Sequence, residues 1–334
     1  MTVATDVYDR QLRDLRISVT DRCNFRCTYC MPKDVFGPGY EFLPRDQLLT
    51  FEEIVSVVHH FVARGVRKVR ITGGEPLLRK GIEELVAMIS DVGGVDDLTL
   101  TTNASLLARK TDDLVEAGLD RVTVSLDAMD DVTFQKMNDV GFPVSTVLDA
   151  IEVAAGAGLG PVKVNAVIKK GVNEHSVLDM ARHFRGTGHI VRFIEFMDVG
   201  NTNGWRLDDV MPAERMIEAI DAEFPLEPVP PNYPGEVANR FRYRDGAGEV
   251  GVIASVTQPF CGSCTRARVS AEGSLYTCLF ASTGTSLRDV IRAGGDLGAV
   301  IDEVWAKRDD RYSEIRSSNT ARMAVPVEMS YIGG

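Results

Sequence analysis

The chain has 334 residues, 44% hydrophobic and 25% charged, the balance of a globular protein with room for one large domain and a smaller one. No run approaches the roughly 18 uninterrupted apolar residues of a membrane span, and the first residues lack the basic and apolar blocks of a secretory signal, so a cytoplasmic protein is expected. A formal charge of -11 argues against a nucleic-acid or membrane partner, since both need a basic face, but not against an anionic small molecule held by a few cations.

Short aliphatic and β-branched runs predict strands at 15–20, 66–72, 97–102, 121–127, 161–168 and 189–196. Between them, apolar residues at three- and four-residue spacing predict helices, as at 51–64, 82–90, 112–117 and 147–157. The strand runs read as nearly continuous in apolar residues, the mark of strands covered on both faces. Strand and helix in strict alternation imply a parallel sheet.

Chemistry-bearing residues gather just after the strands, at 21–30, 73–76, 101–103 and 125–127. In a (β/α) barrel those ends converge on one mouth, whereas a flat sheet offers a crevice only at its switch point. The expected fold is therefore α/β, a partial (β/α)6 TIM-like barrel over residues 1–224. Pro225, Pro228, Pro230, Pro231 and Pro234 predict a semi-rigid connector without regular structure. Beyond it, a smaller C-terminal region spanning 225–334 has strand signals at 240–243, 250–255 and 267–270. Helix signals follow at 287–292 and 297–308, and the chain ends in Gly333-Gly334.

The six cysteines form two triplets, Cys23, Cys27 and Cys30, then Cys261, Cys264 and Cys278. In a reducing compartment they are poor candidates for disulfides. Three thiolates with no fourth ligand nearby suit an iron–sulfur cluster or zinc with an open position. No histidine is close to the second triplet, because all five lie between 59 and 189. Arg266 and Arg268 would project from one face of a strand, a pairing suited to phosphate or carboxylate. Arg16, Arg70, Lys163 and Arg192 also fall on predicted strands, where cations need partners that a triphosphate would supply.

The string Cys23-Asn24-Phe25-Arg26-Cys27-Thr28-Tyr29-Cys30, with Thr72-Gly73-Gly74-Glu75-Pro76 after the second strand, resembles the radical S-adenosylmethionine (SAM) superfamily. That resemblance implies a 4Fe-4S cluster on Cys23, Cys27 and Cys30, its open iron chelating SAM. It implies reductive cleavage of SAM to a 5′-deoxyadenosyl radical, with Tyr29, Gly74, Glu75, Ser125 and Met197 at the cofactor. Competing readings are a peptide-modifying member of the superfamily, an iron–sulfur electron carrier and a zinc scaffold.

The segments at 192–200 and 260–268, Cys278 and the Gly-Gly end extend the likeness. Together they are similar to the GTP 3′,8-cyclase family, which acts first in molybdenum cofactor biosynthesis. This implies a second 4Fe-4S cluster on Cys261, Cys264 and Cys278, holding guanine through its open iron. It implies GTP contacts at Arg16, Arg70, Thr101, Lys163, Arg192, Arg266, Ala267 and Arg268. The radical would take hydrogen from C3′ of the ribose, and C3′ would then bond to C8 of the base. Roles in the reaction fall on the first triplet, Arg266, Arg268, Gly333 and Gly334. The family further implies a reductant such as flavodoxin or ferredoxin, a downstream cyclic pyranopterin monophosphate synthase, and a homodimer.

Overall fold

The computed structural model describes residues 3–316 and 326–333. Six strands pair in parallel in chain order: β1 (Asp14–Ser18), β2 (Lys68–Thr72), β3 (Asp97–Thr102), β4 (Arg121–Ser125), β5 (Lys163–Ile168) and β6 (Ile190–Glu195). β2 to β6 lie within the spans their sequence predicts, and β1 starts one residue before its span, at Asp14. The crossovers are α1 (Phe51–Val62), α2 (Ile82–Ser90), α3 (Leu107–Glu116), α4 (Asp131–Asn138), α5 (Val144–Gly156) and α6 (Ser176–Phe184). The partial (β/α)6 barrel is the architecture that the alternation predicts. No helix among the described residues is long and apolar enough to cross a membrane.

One expectation needs correction. The strands alternate rather than run continuously apolar. Leu15 and Ile17, Val69 and Ile71, Leu98 and Leu100, Val122 and Val124 are at most 2% exposed in the core beneath the helices. Their neighbours Arg16, Arg70, Thr101, Lys163, Asn165 and Arg192 line the barrel interior instead. The period of two divides each strand between an apolar outer layer and a polar lumen.

The C-terminal strands extend both edges of this core. They are β7 (Leu226–Val229), β8 (Asn239–Tyr243), β9 (Glu249–Ile253), β10 (Arg266–Val269), β11 (Ser274–Tyr276) and β12 (Thr285–Ser286). β9 joins β6 and β10 joins β1, both in parallel, while the remaining pairs are antiparallel. The ladder therefore runs β12-β11-β10-β1 through β6 and on to β9-β8-β7. Within the stretch read as an irregular connector, residues 226–229 form β7, with Pro228 opposite Phe241. Proline is tolerated there because β7 is the outermost strand and one of its sides needs no ladder hydrogen bonds.

The remaining helices are α7 (Ala213–Glu223), α8 (Leu287–Arg292), α9 (Leu297–Ala306), α10 (Tyr312–Ile315) and α11 (Met329–Ile332). The N-terminal segment ties α9 to the barrel. Asp6 pairs with Arg10 at 2.6 Å and with Arg308 at 3.1 Å, and Trp305 Nε1 donates to Arg10 O.

Candidate active site

The first cysteine triplet occupies the loop after β1, where the barrel mouth opens. Arg26 N and Thr28 N donate to Asn138 O and Met137 O at the end of α4, which anchors the loop. Arg26 then gathers the loop by donating to the carbonyls of Cys23, Phe25 and Phe36 at 2.7 Å each. Phe25 is buried against Phe134 and Phe142. None of the three thiols is in a disulfide. Burial pushes the Cys23 thiol up to about 12, and it raises Cys27 and Cys30 as well. Thiols in such surroundings become ligands only when a metal compensates the thiolate charge.

The second and third strands end against this loop. Gly74 N donates to Thr20 O at 2.7 Å, and a side chain at Gly74 would run into the Arg22 carbonyl. Only glycine permits that approach. Glu75 is 1% exposed, and both of its oxygens are engaged: Oε1 accepts from Leu77 N and Thr102 Oγ1, Oε2 from Asn103 N. Burial outweighs these bonds and pushes its carboxyl up to about 7. Asn103, noticed in the sequence only as part of a strand end, donates to Cys23 Sγ at 3.8 Å and to Asn24 Oδ1. Tyr29 Oη donates to Asp127 Oδ2 at 2.8 Å, and Asp127 Oδ1 accepts from Val167 N, which braces Tyr29 across two strand ends. Ser125 closes β4 half-buried, with no side-chain hydrogen bond among the described residues.

The second triplet lies where β10 leaves its loop. Cys261 starts a short 3-10 turn, Cys264 precedes β10, and Cys278 follows β11. Arg10 Nη1 donates to Cys261 O and Arg308 Nη1 to Cys264 O. Arg266 Nη2 donates to Cys264 Sγ at 3.3 Å. Burial tends to raise the Cys264 thiol, but Arg266, Arg308 and Arg268 override it and hold the group down at about 6. Cys278 is pushed up to about 11, chiefly by burial. Cys264 is therefore electrostatically prepared to be a thiolate ligand.

Between the triplets runs the lumen, lined by Arg16, Tyr29, Arg70, Thr101, Lys163, Arg192, Met197, Cys261, Cys264, Arg266, Arg268 and Cys278. Strand register sets Arg268 beside Arg16 and Arg16 beside Arg70. Like charges on neighbouring strands repel. Among the described residues none of these three has a carboxylate partner: Arg70 donates to Thr101 Oγ1, and Arg268 Nε is buried without an acceptor. Burial, and then Arg268, Arg70 and Arg266, hold Arg16 well below the usual arginine range. Burial and then Arg192 push Lys163 down to about 7. An anion with several charges is the complement to such a lumen.

Ala267 is fully buried between the two arginines and points to the opposite face of β10, which leaves only its backbone to the lumen. Gly333, at φ +75, packs on Thr72 at the end of β2, and Glu328 fixes the segment by accepting from Asn201 N and Thr202 Oγ1. Gly334 lies outside the described residues. Sequence reasoning missed Lys68, Asn165, Tyr233 and Arg308, all of which line the lumen. The alternation along β2 and β5 was the available signal for the first two.

The donor sets can be tested against the groups they would hold. Three thiols in each loop, none of them in a disulfide, fit a polynuclear iron–sulfur cluster in which each thiolate takes a different iron.

Comparison with known proteins follows the same lines. Residues 17–184 match the Radical SAM superfamily and residues 189–314 match Molybdenum Cofactor Synthesis C. A GTP 3′,8-cyclase of Acidothermus cellulolyticus is 53% identical, covering 98% of each chain. The chain belongs to the GTP 3′,8-cyclase family. Relatives of the same name from Xanthomonas campestris (50% identical, 98% of this chain and 97% of theirs) and Staphylococcus epidermidis (47%, 99% of each) agree. Among solved structures, Streptococcus suis SuiB bound to S-adenosylmethionine superposes with TM-score 0.63 at 14% identity, over 88% of this chain and 69% of SuiB. SuiB thus shares the fold. As a radical SAM protein, this member of the GTP 3′,8-cyclase family works with a 4Fe-4S cluster and SAM.

Proposed function

We propose that this chain converts GTP to 3′,8-cyclo-7,8-dihydro-GTP, the first step of molybdenum cofactor biosynthesis, in a reducing cytoplasm. The in-register arginines Arg268, Arg16 and Arg70, facing a lumen that ends on the Cys261, Cys264 and Cys278 thiols, carry the reading. Cys23, Cys27 and Cys30 would hold a 4Fe-4S cluster that, with SAM bound, would supply the radical that takes hydrogen from C3′. C3′ would then bond to C8, and the radical left on the base nitrogen would take up one electron from the reductant and one proton to give the 7,8-dihydro product. The protein orients the partners and excludes water.

In this reading Gly74 keeps the β2 end close to the cysteine loop, where SAM contacts would also come from Tyr29, Glu75, Ser125 and Met197. The Glu75 carboxylate is already engaged by the β3 end, so its contribution to SAM would come from its backbone. Arg16, Arg70, Thr101, Lys163 and Arg192 would take the triphosphate. Arg266, Arg268 and the Ala267 backbone would meet the nucleoside beside a second 4Fe-4S cluster on Cys261, Cys264 and Cys278. A ferredoxin- or flavodoxin-like reductant and a downstream synthase that consumes the cyclised nucleotide complete the scheme.

Anaerobic incubation with SAM, dithionite and GTP is expected to yield 5′-deoxyadenosine and an isomer with the mass of GTP. Cys261→Ser is expected to carry about half the iron of the parent protein. It should form 5′-deoxyadenosine without the isomer. Full iron content, or undiminished isomer formation in that variant, would reject the second cluster.

A further inference from the structure

The proline-dense segment marked by the sequence closes the lumen at the end opposite the first triplet. Its turn, residues 230–237, is braced from within and from β8: Asn232 N and Nδ2 donate to the Glu236 carboxylate, and Arg240 Nη1 on β8 donates to Pro230 O. Gly235, at φ +88, seats the turn on the second triplet's loop. A Cβ there would lie 2.7 Å from both Ser263 O and Thr265 Cγ2. Prolines fix backbone torsions in advance, so such a turn stays in place with little entropy to lose.

Tyr233 is the aromatic side chain that this turn sends into the lumen, at the level where β1 and β2 begin. Its ring lies 5.4 Å from Lys68 Nζ and 5.4 Å from Arg13 Cζ. Its hydroxyl oxygen accepts from Lys68 Nζ at 3.5 Å, while its own proton has no acceptor among the described residues. Arg70, Lys163 and Arg192 line the same lumen. A small second cavity adjoins the turn and shares Lys163, Arg192, Glu236 and Ala238 with the main one.

We propose that the turn 230–237 is the floor of the polyphosphate site and that Tyr233 donates its hydroxyl proton to a non-bridging oxygen of the distal phosphates. The proposal rests on the GTP reading and deepens it. The arginines supply charge to any phosphate, whereas Tyr233, set beside Lys68 in the lumen shared with Arg70, Lys163 and Arg192, is sensitive to how many phosphates are present.

Titration of anaerobic holoenzyme with GTP and with GMP tests this in wild type and Tyr233→Phe, a change that removes one hydroxyl and keeps the ring. The variant is expected to bind GTP about tenfold more weakly, the loss typical of a hydrogen bond to a charged group. Its GMP affinity should stay within about twofold of wild type, and KM for GTP should rise with kcat retained. Equal loss for both nucleotides, or no loss for either, overturns the proposal while the GTP reading stands. Wild type that binds no guanine nucleotide overturns both.

Discussion

Replacing Arg268 with alanine is expected to lower cyclisation by roughly 10²- to 10³-fold, the range for loss of one positioned donor in a dry site, while the protein stays folded. Arg268 is 2% exposed, stands in register with Arg16, and leaves its Nε without an acceptor. Burial, and then Arg266, push it down to about 10. In the free protein this group is therefore under electrostatic load, as functional sites often are. Removing it relieves repulsion on Arg16, so the thermal midpoint without nucleotide should not fall. The ratio of 5′-deoxyadenosine to cyclised product should rise steeply, because the proposed function puts SAM cleavage at the other triplet. A parallel fall in thermal midpoint, SAM cleavage and product would mean that Arg268 is merely structural.

Removal of the last two residues is expected to abolish cyclisation, a loss of at least about 10²-fold, with iron content and SAM binding intact. The described part of the tail supports this outcome. Ile332 is fully buried, Met329 lines the lumen, and Gly333 rests on Thr72 one residue before the Gly73-Gly74 turn. Val327 N donates to Ala281 O, and Glu328 is clamped by Asn201 and Thr202. These contacts hold the segment over the mouth without the last two residues, so iron loading should survive truncation. Retained turnover in the truncated protein, measured as product per 5′-deoxyadenosine, would remove the tail from the reaction.

Much of this site could be read from the sequence because its parts are local. The spacing of Cys23, Cys27 and Cys30, the Gly73-Gly74 turn and the six βα units each depend on residues near one another in the chain. The arginine row is different. Arg268 meets Arg16 only because β10 pairs with β1 across the sheet, and no local pattern encodes that register. The same holds for β9 against β6, which extends the opposite edge. Pro228 hid β7, since an outermost strand accepts a residue that an inner strand would reject. Asn103 and Asp127 are ordinary polar residues until the ends of β3 and β4 bring them to Cys23 and Tyr29. Tyr233 was masked by the prolines around it, whose density reads as linker and whose rigidity makes a floor.

The central claim is that two cysteine loops and the cations between them direct a radical to C3′ of GTP. Anaerobic turnover of GTP carrying deuterium at C3′, followed by mass analysis of the 5′-deoxyadenosine formed, tests it most directly. Transfer of one deuterium into 5′-deoxyadenosine, together with a cyclised nucleotide that has lost it, is the predicted result. Unlabelled 5′-deoxyadenosine alongside unchanged GTP would contradict the account.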